Sequence, residues 1–176
     1  FNNNDFAENT SVLYCRVRDV GGCTWEGASR FVHFVGNYVR NGGTLVVQYQ
    51  QPDYVQRNLP PFPAQMASRV TDQTAPVRIL APQHRAFTAP NVITDADFAD
   101  WVQERNLYAF TTFDPQYTAL LETADPGEAP QTGGQVVATL GKGTYVYTAY
   151  AWFRQLPAGV PGAYRQFANL VSLGAK

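Results

Sequence analysis

A nucleophilic cysteine needs a strained Gly-x-Cys-x-Gly elbow to expose its thiol and a His-x-Glu pair to activate it. Neither cysteine of this sequence is so placed. Gly22-Cys23-Thr24-Trp25 lacks the spacing, Tyr14-Cys15-Arg16 reads as strand, and Ala86 stands where His84 needs its carboxylate partner. Cys15 and Cys23 lie eight positions apart around Gly21-Gly22, a spacing that a disulfide closes if the glycines turn the chain back. A disulfide in an oxidising compartment and two free thiols in a reduced cytoplasm both remain open. A serine elbow fails as well, because Phe31 in Gly27-Ala28-Ser29-Arg30-Phe31 occupies the place of the second glycine. There is no Cys-x-x-Cys pair, and His33 and His84 are far apart in sequence, so no metal or other cofactor is expected.

The acidic residues Asp95, Asp97, Asp100 and Glu104 form the densest group of carboxylates in the chain. With His84, which follows a strand in Pro82-Gln83-His84-Arg85, Asp95 or Glu104 could do acid-base work in a hydrolytic cleft. The plainer reading is a charged first turn and outer face of an amphipathic helix, where the helix dipole favours negative charge. Aromatic residues make up 14% of the chain, enough that some can be spared from the core. Tyr49, Tyr54 and Phe62 lie in or beside a Pro-rich stretch, and Tyr145, Tyr147, Tyr150 and Trp152 run along the last strand. Those that prove exposed would contact a glycan or a protein partner, whereas alternating tyrosines on a strand otherwise pack across it. Tyr49, Tyr54, Phe62 and Trp152 are the contact candidates.

Elements must hold these residues. Ser11 to Asp19, with Val12-Leu13-Tyr14-Cys15 followed by alternating Arg16, Val17 and Arg18, reads as a strand. Phe31, Phe34, Val35, Tyr38 and Val39 recur at helical spacing from Ala28 to Arg40, and Asn41-Gly42-Gly43 supplies a left-handed stop. Thr44 to Tyr49 is a run for a strand covered on both faces of a parallel sheet. Gln50 to Ala75, with Pro52, Pro60, Pro61 and Pro63, reads as a long irregular excursion. Pro76 to Leu80 is a strand. Thr94 opens a helix to about Asn106, with Asp97 completing a capping box and Phe98, Trp101 and Val102 as its buried stripe. Strands follow at Tyr117 to Leu121, Gln135 to Leu140 and Thr144 to Phe153, the last two joined by the hairpin turn Gly141-Lys142-Gly143. Pro161 starts a final helix with Tyr164, Phe167, Ala168 and Val171 on one face, ending at Gly174.

The 176 residues, 45% hydrophobic and 15% charged, describe one soluble folded domain, with no apolar run of membrane-spanning length. A net charge of -1 with dispersed Lys and Arg argues against nucleic acid as a partner. The chain opens at Phe1 without an initiator Met or a signal segment, as expected of a mature product or a piece of a longer protein.

Several stretches together resemble the C-terminal region of bacterial PIG-L (LmbE-like) deacetylase family proteins: Gly42-Gly43-Thr44-Leu45-Val46-Val47-Gln48-Tyr49, Ala75-Pro76-Val77-Arg78-Ile79-Leu80, Ile93 to Arg105, Gly133-Gly134-Gln135-Val136-Val137-Ala138, Gly141 to Thr148 and Leu156 to Arg165. The resemblance runs from Phe31 to Gly174 and matches residues 1–30 poorly. It implies an α/β, flavodoxin-like, class I glutamine amidotransferase-like architecture: a parallel sheet flanked by helices, with a C-terminal antiparallel hairpin. Such a sheet starts with βα units before Ser11, so it implies a sheet incomplete at its N-terminal side. The family's His-Pro-Asp-Asp zinc motif has no counterpart here, so the resemblance implies a noncatalytic accessory or interaction domain. Its partner would be the deacetylase domain of the same parent protein or a glycan, in the periplasm or outside the cell, with the cytoplasm as the alternative. A hydrolase acting on a sugar derivative or amide is one alternative function. A self-associating structural subunit of an extracellular assembly is the other.

Overall fold

The computed structural model describes residues 38–174. The expected strand at Ser11 to Asp19, most of the helix ending at Arg40, and Cys15, Cys23 and His33 lie outside the described residues. Residues 38–40 are helical, and the Gly42-Gly43 stop follows as expected, with Gly42 at φ 113°.

The described residues form a mixed α/β fold with a central sheet flanked by helices. Strand β1 (Thr44–Gln48) pairs in parallel with β8 (Gly143–Thr148), β8 antiparallel with β7 (Gln135–Leu140), and β7 antiparallel with β5 (Tyr117–Ala119). The expected parallel sheet is thus realised in one pair and continued by antiparallel strands, because the tight turn at Gly141 (φ 64°) folds β7 directly back on β8. Two-residue alternation sorts the sheet's side chains. Val46, Val146 and Val137 face one core, while Leu45, Val47, Tyr145, Tyr147, Val136 and Ala138 face another. β1 is buried on both faces, as its unbroken apolar run predicts.

Two antiparallel ribbons cover this sheet: β2 (Ala64–Val70) with β4 (Asn106–Phe113), and β3 (Val77–Ile79) with β6 (Leu121–Thr123). The excursion from Gln50 to Ala75 is therefore not irregular. It contains a short helix α1 (Asp53–Gln56) and the seven-residue β2, whose even positions Ala64, Met66, Ser68 and Val70 turn inward while the odd ones are exposed. The prolines end at Pro63, just before it. The run from Tyr117 divides at Leu120, whose N–H still donates to Gln135 O at 2.9 Å while its carbonyl accepts from Leu80 N at 3.0 Å, and β6 then joins β3.

The expected helix from Thr94 to Asn106 is overturned. Its capping box forms, but only a 3-10 turn, Asp95–Phe98, follows. Side chains take the backbone groups that a helix would use. Trp101 Nε1 donates to the Asp97 carbonyl at 3.3 Å, Arg105 to Phe98, and Gln155 both donates to Val102 O at 2.9 Å and accepts from Val102 N at 2.8 Å. Asp100 and Gln103 then adopt positive φ of 59° and 69°, and β4 begins where the helix was expected to end.

Two further boundaries shift. β8 stops at Thr148 rather than at Phe153, and Trp152 starts the short helix α3 (Trp152–Gln155); α2 (Arg85–Thr88) is equally short. The last helix, α4 (Pro161–Val171), begins at Pro161 as expected but faces the other way. Gly162, Ala163, Gln166, Asn169 and Leu170 are buried, whereas Tyr164 and Val171 each keep 51% of their surface exposed. Close approach decides this. A Cβ on Gly162 would lie 2.0 Å from the Asp97 carbonyl oxygen, so α4 rests its small residues directly on the 3-10 turn.

Candidate functional site

The carboxyl end of a parallel strand pair is where open α/β sheets place their ligand sites. At this end of β1 the chain turns through Tyr49, whose φ of 49° is rare for a residue with a side chain. The Tyr49 ring meets Phe153 edge-on at 4.7 Å and Tyr108 at 5.7 Å, and Tyr108 itself has φ 62°. Tyr49 Oη donates to Glu104 Oε1 at 2.5 Å, and Arg154 Nε donates to the same oxygen at 3.1 Å. The Arg154 guanidinium lies 4.8 Å over the Phe153 ring, and that ring leaves 47% of its surface exposed.

Two residues flagged separately in the sequence, Tyr49 and Glu104, thus share one hydrogen bond. Burial, and next the bond to Glu104, push the Tyr49 phenol up, so it stays protonated at neutral pH and is no nucleophile there. The carboxylate oxygen that it donates to is held by the guanidinium as well. What remains outward is a flat apolar ring bordered by a carboxylate and a guanidinium, a surface suited to contact.

His84 and Asp95 stand elsewhere. His84 is the N-cap of α2, its Nδ1 accepting from Ala86 N at 3.1 Å, and burial lowers its pKa. Asp95 is exposed on the 3-10 turn. No hydrogen bond or ion pair among the described residues joins any two of His84, Asp95 and Glu104. The four contact candidates also separate. Trp152 is fully buried, with Nε1 donating to Thr148 Oγ1 at 2.9 Å. Tyr54 is buried too, its hydroxyl 2.7 Å from that of Tyr145. Both rings therefore serve the core and cannot stack on a ligand. Phe62 is half-buried against Tyr117 and lines a groove of 360 Å³ with Val55, Asn58, Pro60, Pro61 and Pro63. Tyr49 remains at the surface. Phe153, Arg154 and Tyr108 escape a sequence reading because the strand expected to run to Phe153 ends at Thr148, and only tertiary structure brings the three to Tyr49.

Among the described residues no group of three or more His, Cys, Asp or Glu side chains could hold a metal ion, and no helix is long and apolar enough to cross a membrane. No protein-family model matches the chain, and no curated protein matches it significantly. Among solved structures it is similar to part of a beta-galactosidase from Rahnella sp. R3, with a TM-score of 0.46 and 15% identity over 79% of this chain and 21% of that one. The chain spans about a fifth of that protein's length, and a likeness at this level bears on neither fold family nor activity.

Proposed function

We propose that the chain is a noncatalytic accessory or interaction domain of a PIG-L-like N-acetylglucosaminyl deacetylase family protein, of flavodoxin-like, class I glutamine amidotransferase-like type. It contacts a glycan, outside the cytoplasm, through the patch of Tyr49, Phe153, Arg154 and Glu104. The observation that carries this reading is the state of the patch: an exposed aromatic ring beside an ion pair, on a backbone held in unfavourable conformations. Of the five positive-φ residues other than glycine among the described residues, Tyr49, Asp100, Gln103 and Tyr108 lie in two of the three segments that build it. Such conformations cost about 1–3 kcal/mol each and gather where a surface has a task. Sugars present both an apolar C–H face for the ring and hydroxyls for the charged pair.

The test is titration of the 15N-labelled chain with N-acetylglucosamine oligomers. Shifts centred on Tyr49, Phe153 and Arg154, with affinity reduced about tenfold or more in Phe153→Ala, are expected. Shifts elsewhere, or none at millimolar sugar, sink the glycan reading. A second reading, a self-associating structural subunit, is favoured by Tyr164 and Val171, the half-exposed apolar residues of α4. Sedimentation of wild type against Tyr164→Ser/Val171→Ser tests it: a dimer or larger species that the double variant loses supports it, and a monomer at every concentration removes it.

A further inference from the structure

Behind the patch, residues 105–107 and 149–151 run antiparallel. Leu107 N donates to Ala149 O at 3.2 Å and Ala151 N to Arg105 O at 3.1 Å, which sets Asn106 opposite Tyr150. Both residues are fully buried, at 0% exposure. A carboxamide brings two donors and an acceptor, and a phenol one of each. Yet Nδ2 and Oδ1 of Asn106 and Oη of Tyr150 have no hydrogen-bond partner among the described residues. Buried polar atoms are almost always paired, and side chains that cannot reach each other are paired through solvent.

Both side chains pack against Gly134. A Cβ there would lie 3.0 Å from Asn106 Nδ2 and 3.1 Å from Tyr150 Cε2. Gly134 is not among the glycines with positive φ, so its backbone does not require a glycine. What the missing Cβ permits is the close approach of the amide and the edge of the ring to the Gly134 backbone. The neighbouring polar groups already have partners. Thr148 Oγ1 donates to Gln135 Oε1 at 3.2 Å and accepts from Trp152 Nε1 at 2.9 Å, and Arg105 donates to the carbonyls of Ala75 and Phe98.

We propose that Asn106 and Tyr150, beside Gly134, form an internal hydration site, in which a buried water bridges the Asn106 amide to the Tyr150 hydroxyl. A water molecule supplies both the donors and the acceptors that the two side chains lack, and it is neutral, like both of them. It ties the start of β4 to the segment after β8. Those two segments lead directly into Glu104 and into Phe153 and Arg154, so the water sits in the framework that spaces the ion pair of the patch. The site does not depend on what the patch binds.

The test is a crystal structure of the whole 176-residue chain that resolves ordered solvent, with water-to-protein NOEs recorded in solution on the same wild-type protein. Expected are a density peak about 2.6–3.2 Å from Tyr150 Oη and from Asn106 Nδ2 or Oδ1, and an NOE from water to the Asn106 side-chain amide. A direct Asn106–Tyr150 hydrogen bond overturns the proposal. So does an empty space with no NOE, and so does density for a larger solute.

Discussion

Tyr49 Oη and Glu104 Oε1 are 2.5 Å apart, so a residue leaving β1 through a left-handed turn is bonded to one 55 positions later, at the threshold of β4. Tyr49→Phe keeps the ring contacts with Phe153 and Tyr108 and deletes only this bond. A hydrogen bond to a charged group contributes about 1.5–3 kcal/mol, and partial exposure brings this one to the low end. Thermal unfolding of Tyr49→Phe should therefore show a loss of about 1–2 kcal/mol. Glu104→Gln, which keeps an acceptor but discharges the pair with Arg154, should cost less. Equal stability of Tyr49→Phe and wild type would mean that the bond is open in solution.

The buried phenols make the fold sensitive to alkali. Burial is the leading cause that raises Tyr54, Tyr145, Tyr147 and Tyr150, and it pushes Tyr117 up to about 12. In the unfolded chain these groups ionise near pH ~10. Above that pH the unfolded state has lost protons that the folded state keeps, so stability falls as pH rises. Stability should be level up to about pH 10 and decline from there towards 12 and beyond. Phenolate absorbance followed against pH, together with circular dichroism, should show a late cooperative rise coincident with unfolding. Early, gradual ionisation of all ten tyrosines would contradict this packing.

Local signals in the sequence are sound where local physics decides. The Gly42-Gly43 stop, the strand from Thr44, the Gly141 hairpin, the Thr94–Asp97 capping box and Pro161 at a helix start are all present. Spacing fails where distant side chains capture backbone groups. Nothing near Val102 announces that Gln155 will bond both its N–H and its carbonyl, and that capture ends the helix after one turn. The pattern of α4 misleads for a similar reason. Its large apolar residues share a stripe, yet the approach of Gly162 to Asp97, too close to admit a Cβ, selects the small side. The patch is half legible. Tyr49 and Glu104 stand out by type, but only tertiary structure brings Phe153 and Arg154 to them.

His84 caps α2 through a neutral ring nitrogen, and burial depresses its pKa. The unfolded imidazole titrates near ~6.5. A depressed folded pKa means that the contribution is complete above about 6.5 and is lost as pH falls from there through the folded value. Protonated Nδ1 can no longer accept from Ala86 N. His84→Asn retains a capping acceptor without a titration, so its urea midpoint should stay flat over the interval in which the wild-type midpoint drops. Parallel curves would assign the acid sensitivity to other groups.

Gly162 and Gly127 separate crowding from conformation. Ala is favoured over Gly inside a helix by about 1 kcal/mol, so Gly162→Ala would stabilise an isolated α4. Here the new methyl meets Asp97 O at 2.0 Å and its carbonyl carbon at 2.5 Å, and backbone cannot swing aside. A net loss of about 1–3 kcal/mol is expected, typical of overpacking. Gly127 has φ 81° with nothing within 4 Å of where a methyl would sit, so Gly127→Ala should cost only its backbone strain, about 1 kcal/mol. A stabilised Gly162→Ala would show that α4 stands off the 3-10 turn.

Trp152 and Phe153 are adjacent in sequence and opposite in role. Trp152 is fully enclosed, edge-on to Trp101 at 5.0 Å and bonded to Thr148, and Trp152→Ala should cost about 3–5 kcal/mol through the cavity that it leaves. Phe153 is 47% exposed, so Phe153→Ala forfeits mainly the edge contact with Tyr49 and the cation over its face, about 1 kcal/mol in all. Denaturant titration of the two variants compares them directly. A larger loss for Phe153→Ala than for Trp152→Ala would mean that the short helix is rotated by about a residue, with Trp152 carrying the patch. The order expected from the structure leaves Phe153 as a ring that folding can spare and a ligand can use.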